Sequence, residues 1–168
     1  MWLSMTAMWT AMMVPMMLPS LAPRLMQWRP RRFAMIAAGA YFLVWIICGA
    51  VIYPPTMNWP LTRYASVIMI SAAIIQFTPW KVRELNACRP SECPSDMRGA
   101  WRCGVKLGIN CALCCAGYTA ILLAVGAMNV IAMIVIGAAI TIERLAPRPV
   151  LVARAFGVAM LAMSIVYR

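Results

Sequence analysis

Six apolar runs, joined by connections that hold most of the charge, constrain this chain more than any other feature. They cover residues 2–18, 33–53, 61–80, 104–125, 128–143 and 150–167. A helix needs about 20 residues to cross the hydrocarbon core of a bilayer, and about 17 is the usual minimum. The first run, broken by Pro15, is therefore marginal, and the fifth leaves its ends in the interface. Composition points the same way: 11% of residues are charged, against about 25% in ordinary soluble domains. With 64% hydrophobic residues a water-soluble surface cannot be built. The expected fold is an all-α polytopic transmembrane bundle of about six spans, or five if the Met-rich first segment does not cross. Residues 1–168 form one integral membrane domain, with a polar connection at residues 81–103.

Two local readings complete this outline. "GAMN", residues 126–129, separates the fourth and fifth runs and turns a tight helical hairpin, because a single helix of that combined length would overshoot the bilayer. The N-terminus has no basic leader and no small-residue cleavage site, so it reads as a membrane segment rather than a signal peptide.

Orientation follows from the basic residues. Thirteen of the fifteen lie in or beside three connections: Arg24, Arg29, Arg31 and Arg32; Lys81, Arg83, Arg89, Arg98, Arg102 and Lys106; Arg144, Arg148 and Arg154. Only Arg63 and Arg168 fall on the other side. The alternation holds through all six runs, which places the basic connections in the cytoplasm and both termini outside. The net charge of +11 is thus a topology signal. No phosphate loop, RNA-binding motif or aromatic-interleaved basic patch accompanies it, so no nucleic-acid partner is expected.

Within the fourth run, "NCALCC" carries Cys111, Cys114 and Cys115 at i, i+3 and i+4, so the three thiols share a helix face. If the chain enters the bilayer near Val105, Cys111 lies roughly 9 Å deep and Cys115 roughly 15 Å deep. The first run carries Met1, Met5, Met8, Met12 and Met16 at helical spacing, with Met13 and Met17 beside them. Counted from its cytoplasmic end, Met8 and Met12 reach the depth of the thiols, and Met133 of the fifth run falls in the same layer.

Sulfur donors are soft and select Cu(I), while hard ions want oxygen, which these runs barely supply. Zinc usually takes a closed Cys/His set, and the chain has no histidine. A thiolate in the membrane interior is costly unless a cation pairs with it, and a bound metal removes that cost. The metal candidates are therefore Cys111, Cys114, Cys115, Met8, Met12, Met16 and Met133, with Cu(I) the expected ion and another soft metal the alternative. A methionine stripe also serves as plain packing, and cysteine as a small hydrophobe. The match in depth between two different runs is what favours a metal.

Other residues have structural readings. "GVKLG", residues 104–108, lets helices approach closely. Gln76 is expected to bond across helices, Asn129 to cap the hairpin, Glu143 to sit at the polar interface and Cys48 to pack in the core. Cys88, Cys93 and Cys103 lack the paired spacing of a zinc ribbon. In a reducing cytoplasm they are expected to remain thiols, either relaying metal or idle.

Four stretches together carry a resemblance: "AMMVPMMLPSLAP" from Ala11, "QFTPWKVRELNACRP" from Gln76, "GVKLGINCALCC" from Gly104, and "GAMNVIAM…ERLAP" from Gly126. They resemble a bacterial family of predicted metal-binding integral membrane proteins, a domain of unknown function. The resemblance implies a multi-pass protein of the bacterial inner (cytoplasmic) membrane with no established reaction. It also implies metal binding at Cys111, Cys114 and Cys115, with Met12, Met13, Met16, Met17, Met128 and Met133 as neighbours. The chain departs from the family at Glu84, where members often carry a further cysteine ahead of "CRP".

A membrane handler of Cu(I) is accordingly the leading functional reading, as carrier, insertion factor or transporter, with a membrane-protein or metallochaperone partner. The alternative is a non-catalytic structural or assembly subunit of a larger membrane complex. Enzymatic chemistry is not expected: the spans hold no histidine and no carboxylate pair, and no Cys-x-x-Cys beside an activating base.

Overall fold

In a computed structural model of the chain, which describes residues 2–28, 30–57, 61–87, 96–126 and 129–166, the regular elements are all helical. They are α1 (Trp2–Gln27), α2 (Arg31–Met57), a 3-10 turn (Leu61–Tyr64), α3 (Ala65–Phe77), α4 (Pro79–Ala87), α5 (Met97–Val125), α6 (Val130–Leu145) and α7 (Pro149–Val166). Met1, Cys88, Cys93 and Met128 lie outside the described residues, as does the side chain of Met5.

The all-α expectation holds. Among the described residues, α2, α5 and α7 are long and apolar enough to cross a membrane, and α3 with α4 adds a fourth if that bent pair counts as one span. The other two runs fall short of that standard. α6 has 16 residues, below the usual minimum of about 17, and α1 is not among the helices that qualify.

Helix α1 runs well past the expected end at Leu18, through Pro15, Pro19 and Pro23, to Gln27. Proline removes one backbone donor and crowds the preceding turn. Here the three recur every four residues, so they share one face, and that face is exposed. Met12, Met13, Met16, Met17 and Leu21 occupy the opposite side and are buried.

The polar connection at residues 81–103 is shorter than expected because helices occupy both its ends. The third run breaks at Thr78, where α4 turns 72° away from α3. The backbone at Thr78 is extended, as favoured for a residue that precedes proline. Helix α5 already begins at Met97, where the Asp96 carboxylate accepts a hydrogen bond from the Gly99 amide at 3.2 Å, a capping contact. Its far end has the predicted hairpin chemistry. Gly126 takes φ +115°, a region that glycine enters without steric cost, and Asn129 Oδ1 accepts from the Ala132 amide at 3.1 Å.

Helix α5 is the centre of the bundle, packed against α2, α3, α4 and α6. The small residues of "GVKLG" face α2. A Cβ on Gly104 would collide with the Ala37 backbone, and one on Gly108 would crowd Val44 and the Tyr41 carbonyl. This close approach sets Cys111 against Tyr41. Large aliphatic side chains cover the outside, including Val67, Ile131, Ile134, Val158 and Ile165, all at least 59% exposed.

Candidate metal centre

The three thiols of "NCALCC" are buried, but they do not all face the same neighbours. Cys111 and Cys115 belong to the main core, with Trp9, Met12, Met13, Met16 and Met17 of α1 and Tyr41 and Trp45 of α2. Cys114 packs with Leu85 of α4 and Ala153 of α7. Cys115 follows Cys114 directly and lies one helical turn beyond Cys111. The shared face read from the i, i+3, i+4 spacing is therefore an arc wide enough to touch two sides of the bundle.

The groups in contact with Cys111 are uncharged, one a hard phenol oxygen and one a soft thioether. Its Sγ lies 2.8 Å from the Tyr41 hydroxyl and 3.8 Å from Met17 Sδ. Tyr41, Met17 and Cys111 are each 0% exposed. The indole of Trp9 donates to the Trp45 carbonyl at 3.1 Å, which ties α1 to α2 beside this cluster. Of the sequence-predicted methionines, Met12 and Met16 are buried in the same core and Met133 packs against it, whereas Met8 is 38% exposed. Met17, expected only beside the stripe, is the thioether in contact with a thiol.

Among the described residues, no three Cys, Asp or Glu side chains gather as a metal-holding group. What gathers is mixed: two thiols, one thioether and a phenol. That set suits a soft monovalent ion of low coordination number and offers little to a hard one.

The other side of α5 is ionic, and this is where the sequence reading needs correction. Lys81, read as a topology signal, is 1% exposed, and so is Glu143, which was expected at the polar interface. Their charged groups meet at 2.7 Å. Tyr118 donates to the second Glu143 oxygen at 2.5 Å, and Lys81 also donates to the Cys114 carbonyl at 2.7 Å. The ammonium lies 5.1 Å from the Tyr118 ring centre. Lys81 lies on α4, beyond the 72° bend that separates that helix from α3.

Arg144 follows Glu143 and reaches Ser20 of α1 at 3.4 Å. It interacts electrostatically with Cys111, Cys115 and Tyr41. Sequence reasoning missed Tyr41, Lys81, Tyr118 and the inward role of Glu143. The available signal was an unpaired acid and base inside apolar surroundings, a rare and costly arrangement that points to function.

Two further expectations change. Gln76 is buried, yet its Oε1 accepts no hydrogen bond among the described residues. Cys103 is disulfide-bonded, where a cytoplasmic thiol was expected. Cys48, Cys111, Cys114 and Cys115 are thiols.

Residues 6–167 match the model of a family described as PpoB2, copper chaperone. No curated protein and no solved structure matches the chain.

Proposed function

Because the chain belongs to the PpoB2 copper chaperone family, we propose that it is an integral membrane chaperone that carries Cu(I) on Cys111, Cys115 and Met17. The observation that carries this reading is the 3.8 Å contact between Cys111 and Met17. It sets a thioether from one helix against a thiol on another, in a fully buried core that also holds Cys115. Copper is cargo here, not a resident cofactor. Binding exchanges the two S–H protons for one Cu(I) without change of oxidation state. Arg144 balances the remaining negative charge, and Met12 and Met16 supply further thioethers within the same core. The reading assigns no catalysis.

Membrane insertion is supported by the aliphatic outer surface, which water solvates poorly and lipid covers at no cost. The six-span arrangement treats α1 and α6 as crossing with the others, although neither qualifies alone. The basic connections place both termini on the periplasmic face. The Cys103 disulfide pulls the other way, since disulfides persist in oxidising compartments. With Lys81 set aside as a buried partner of Glu143, the orientation rests on the other twelve basic side chains of those connections. A reporter fused after Arg168 should then be active in the periplasm; activity only in the cytoplasm reverses the orientation.

Cu(I) binding is tested by competition titration against a Cu(I)-specific chelator under reducing conditions. The Cys111→Ser, Cys115→Ser double variant should lose binding. Met17→Leu should weaken it while costing under about 1.5 kcal/mol of stability, because the exchange nearly conserves volume. Wild-type affinity in both variants would sink the proposal.

A further inference from the structure

A groove of about 620 Å³ opens between the N-terminal ends of α2 and α5, lined by Ile36 of α2 and by Met97, Arg98, Trp101 and Arg102 of α5. Gly104 stands against Ala37, and Gly108 against Tyr41 and Val44. The two helices therefore run parallel and begin at the same face of the bundle. Their apolar runs start at Phe33 and Gly104, so Arg102 and Arg98 lie roughly 3 and 9 Å outside that boundary at the helical rise. This is the layer of the lipid headgroups, where tryptophan is also enriched.

We propose that this groove holds the headgroup of one anionic phospholipid, with Arg98 and Arg102 on its phosphate. The two arginines are four residues apart on one helix, so they are neighbours on its surface. Arg32 stands one turn before Ile36 on the same face of α2 and adds a third positive charge. Among the described residues, neither Arg98 nor Arg102 takes part in an ion pair. Asp96, the acid closest to them in sequence, is engaged as the cap of α5. A guanidinium fork matches the geometry of a phosphate, and the cytoplasmic leaflet is the one rich in anionic lipid. Ile36 and the exposed Met97 and Trp101 give the groove an apolar side as well. At this depth, the molecule that carries a phosphate and apolar chains together is a phospholipid.

The inference rests on membrane insertion of the chain and is independent of copper. Arg98 and Arg102 belong to the basic connections that orient the chain, and the groove gives them a second use. A headgroup there bridges α2 and α5 beside the close approach of Gly104 to Ala37. It thereby helps to hold together the two helices that set Tyr41 against Cys111.

The test is lipid binding by the detergent-purified full chain, followed by native mass spectrometry during titration with phosphatidylglycerol or phosphatidylcholine. The wild type should bind one phosphatidylglycerol about tenfold more tightly than phosphatidylcholine, or better, as two basic side chains near a membrane surface can supply. The Arg98→Gln, Arg102→Gln variant should lose that preference and bind phosphatidylcholine as before. Arg102→Gln alone should lose part of it, and decides the matter if the double variant does not fold. Arg148→Gln, Arg154→Gln removes the same charge elsewhere on the exposed surface and should keep the preference. A preference lost equally in both double variants would mean attraction by net charge and no site. Equal affinity of the wild type for the two lipids would also overturn the proposal and leave these arginines to an acidic protein. Displacement of phosphatidylglycerol by inorganic phosphate would assign the groove to the free ion. A chain that stays soluble without detergent would overturn membrane insertion itself, on which the site depends.

Discussion

On the side of α5 that faces α1 and α2, Cys111 and Cys115 meet methionine and tyrosine side chains with no formal charge. Toward α4 and α6, the same helix presents Tyr118 and the Cys114 carbonyl to a fully buried Lys81–Glu143 ion pair. The two regions are neighbours, yet they hold together by different physics. Removing a sulfur leaves an apolar gap or a weaker donor, which the surroundings tolerate. Removing one member of the ion pair leaves a charge in a medium that cannot solvate it. Stability should therefore depend most on the ionic side, and copper affinity on the sulfur side.

The sharpest way to break this division is Lys81→Met. It strands the Glu143 carboxylate and should cost about 3–5 kcal/mol, read by denaturant unfolding in detergent. The Lys81→Met, Glu143→Met double variant removes both charges and should recover much of that loss, since an apolar replacement of a whole buried pair is often neutral. If the double variant is as unstable as the single one, the pair is not held mainly by mutual neutralisation. A smaller effect is expected from Tyr118→Phe. It removes one hydrogen bond to a charged oxygen, worth about 1.5–3 kcal/mol, and should leave Cu(I) stoichiometry at the wild-type value. Loss of copper in Tyr118→Phe would merge the two regions into one site.

The two regions also differ in how far the sequence announces them. Cys111 and Cys115 are close to each other in sequence, as are the methionines of α1, so helical spacing alone places each set on a face of its own helix. The hairpin at Gly126 and Asn129 is legible for a similar reason, because both residues act on their own local backbone. Lys81, Tyr118 and Glu143 come from three different helices, and Lys81 lies beyond the 72° bend after Phe77. No periodicity encodes that bend, although Thr78–Pro79 marks where it falls. Lys81 also looked like its basic neighbours, which do act as surface charges, so charge counting absorbed it. The prolines of α1 misled in the other direction. Each one alone argues for a helix end, but their four-residue spacing keeps all three on an exposed face, and the helix continues.

The central claim is that copper sits among sulfurs, at Cys111, Cys115 and Met17, and not at the ionic cluster a turn away. X-ray absorption at the copper edge, on Cu(I)-loaded protein purified under reducing conditions, tests this most directly. The account predicts a first coordination shell of sulfur alone, which becomes mixed or disappears in the Cys111→Ser variant and is unaltered in the Lys81→Met, Glu143→Met variant. A shell dominated by oxygen or nitrogen, or one lost with the charged pair and not with Cys111, would contradict it.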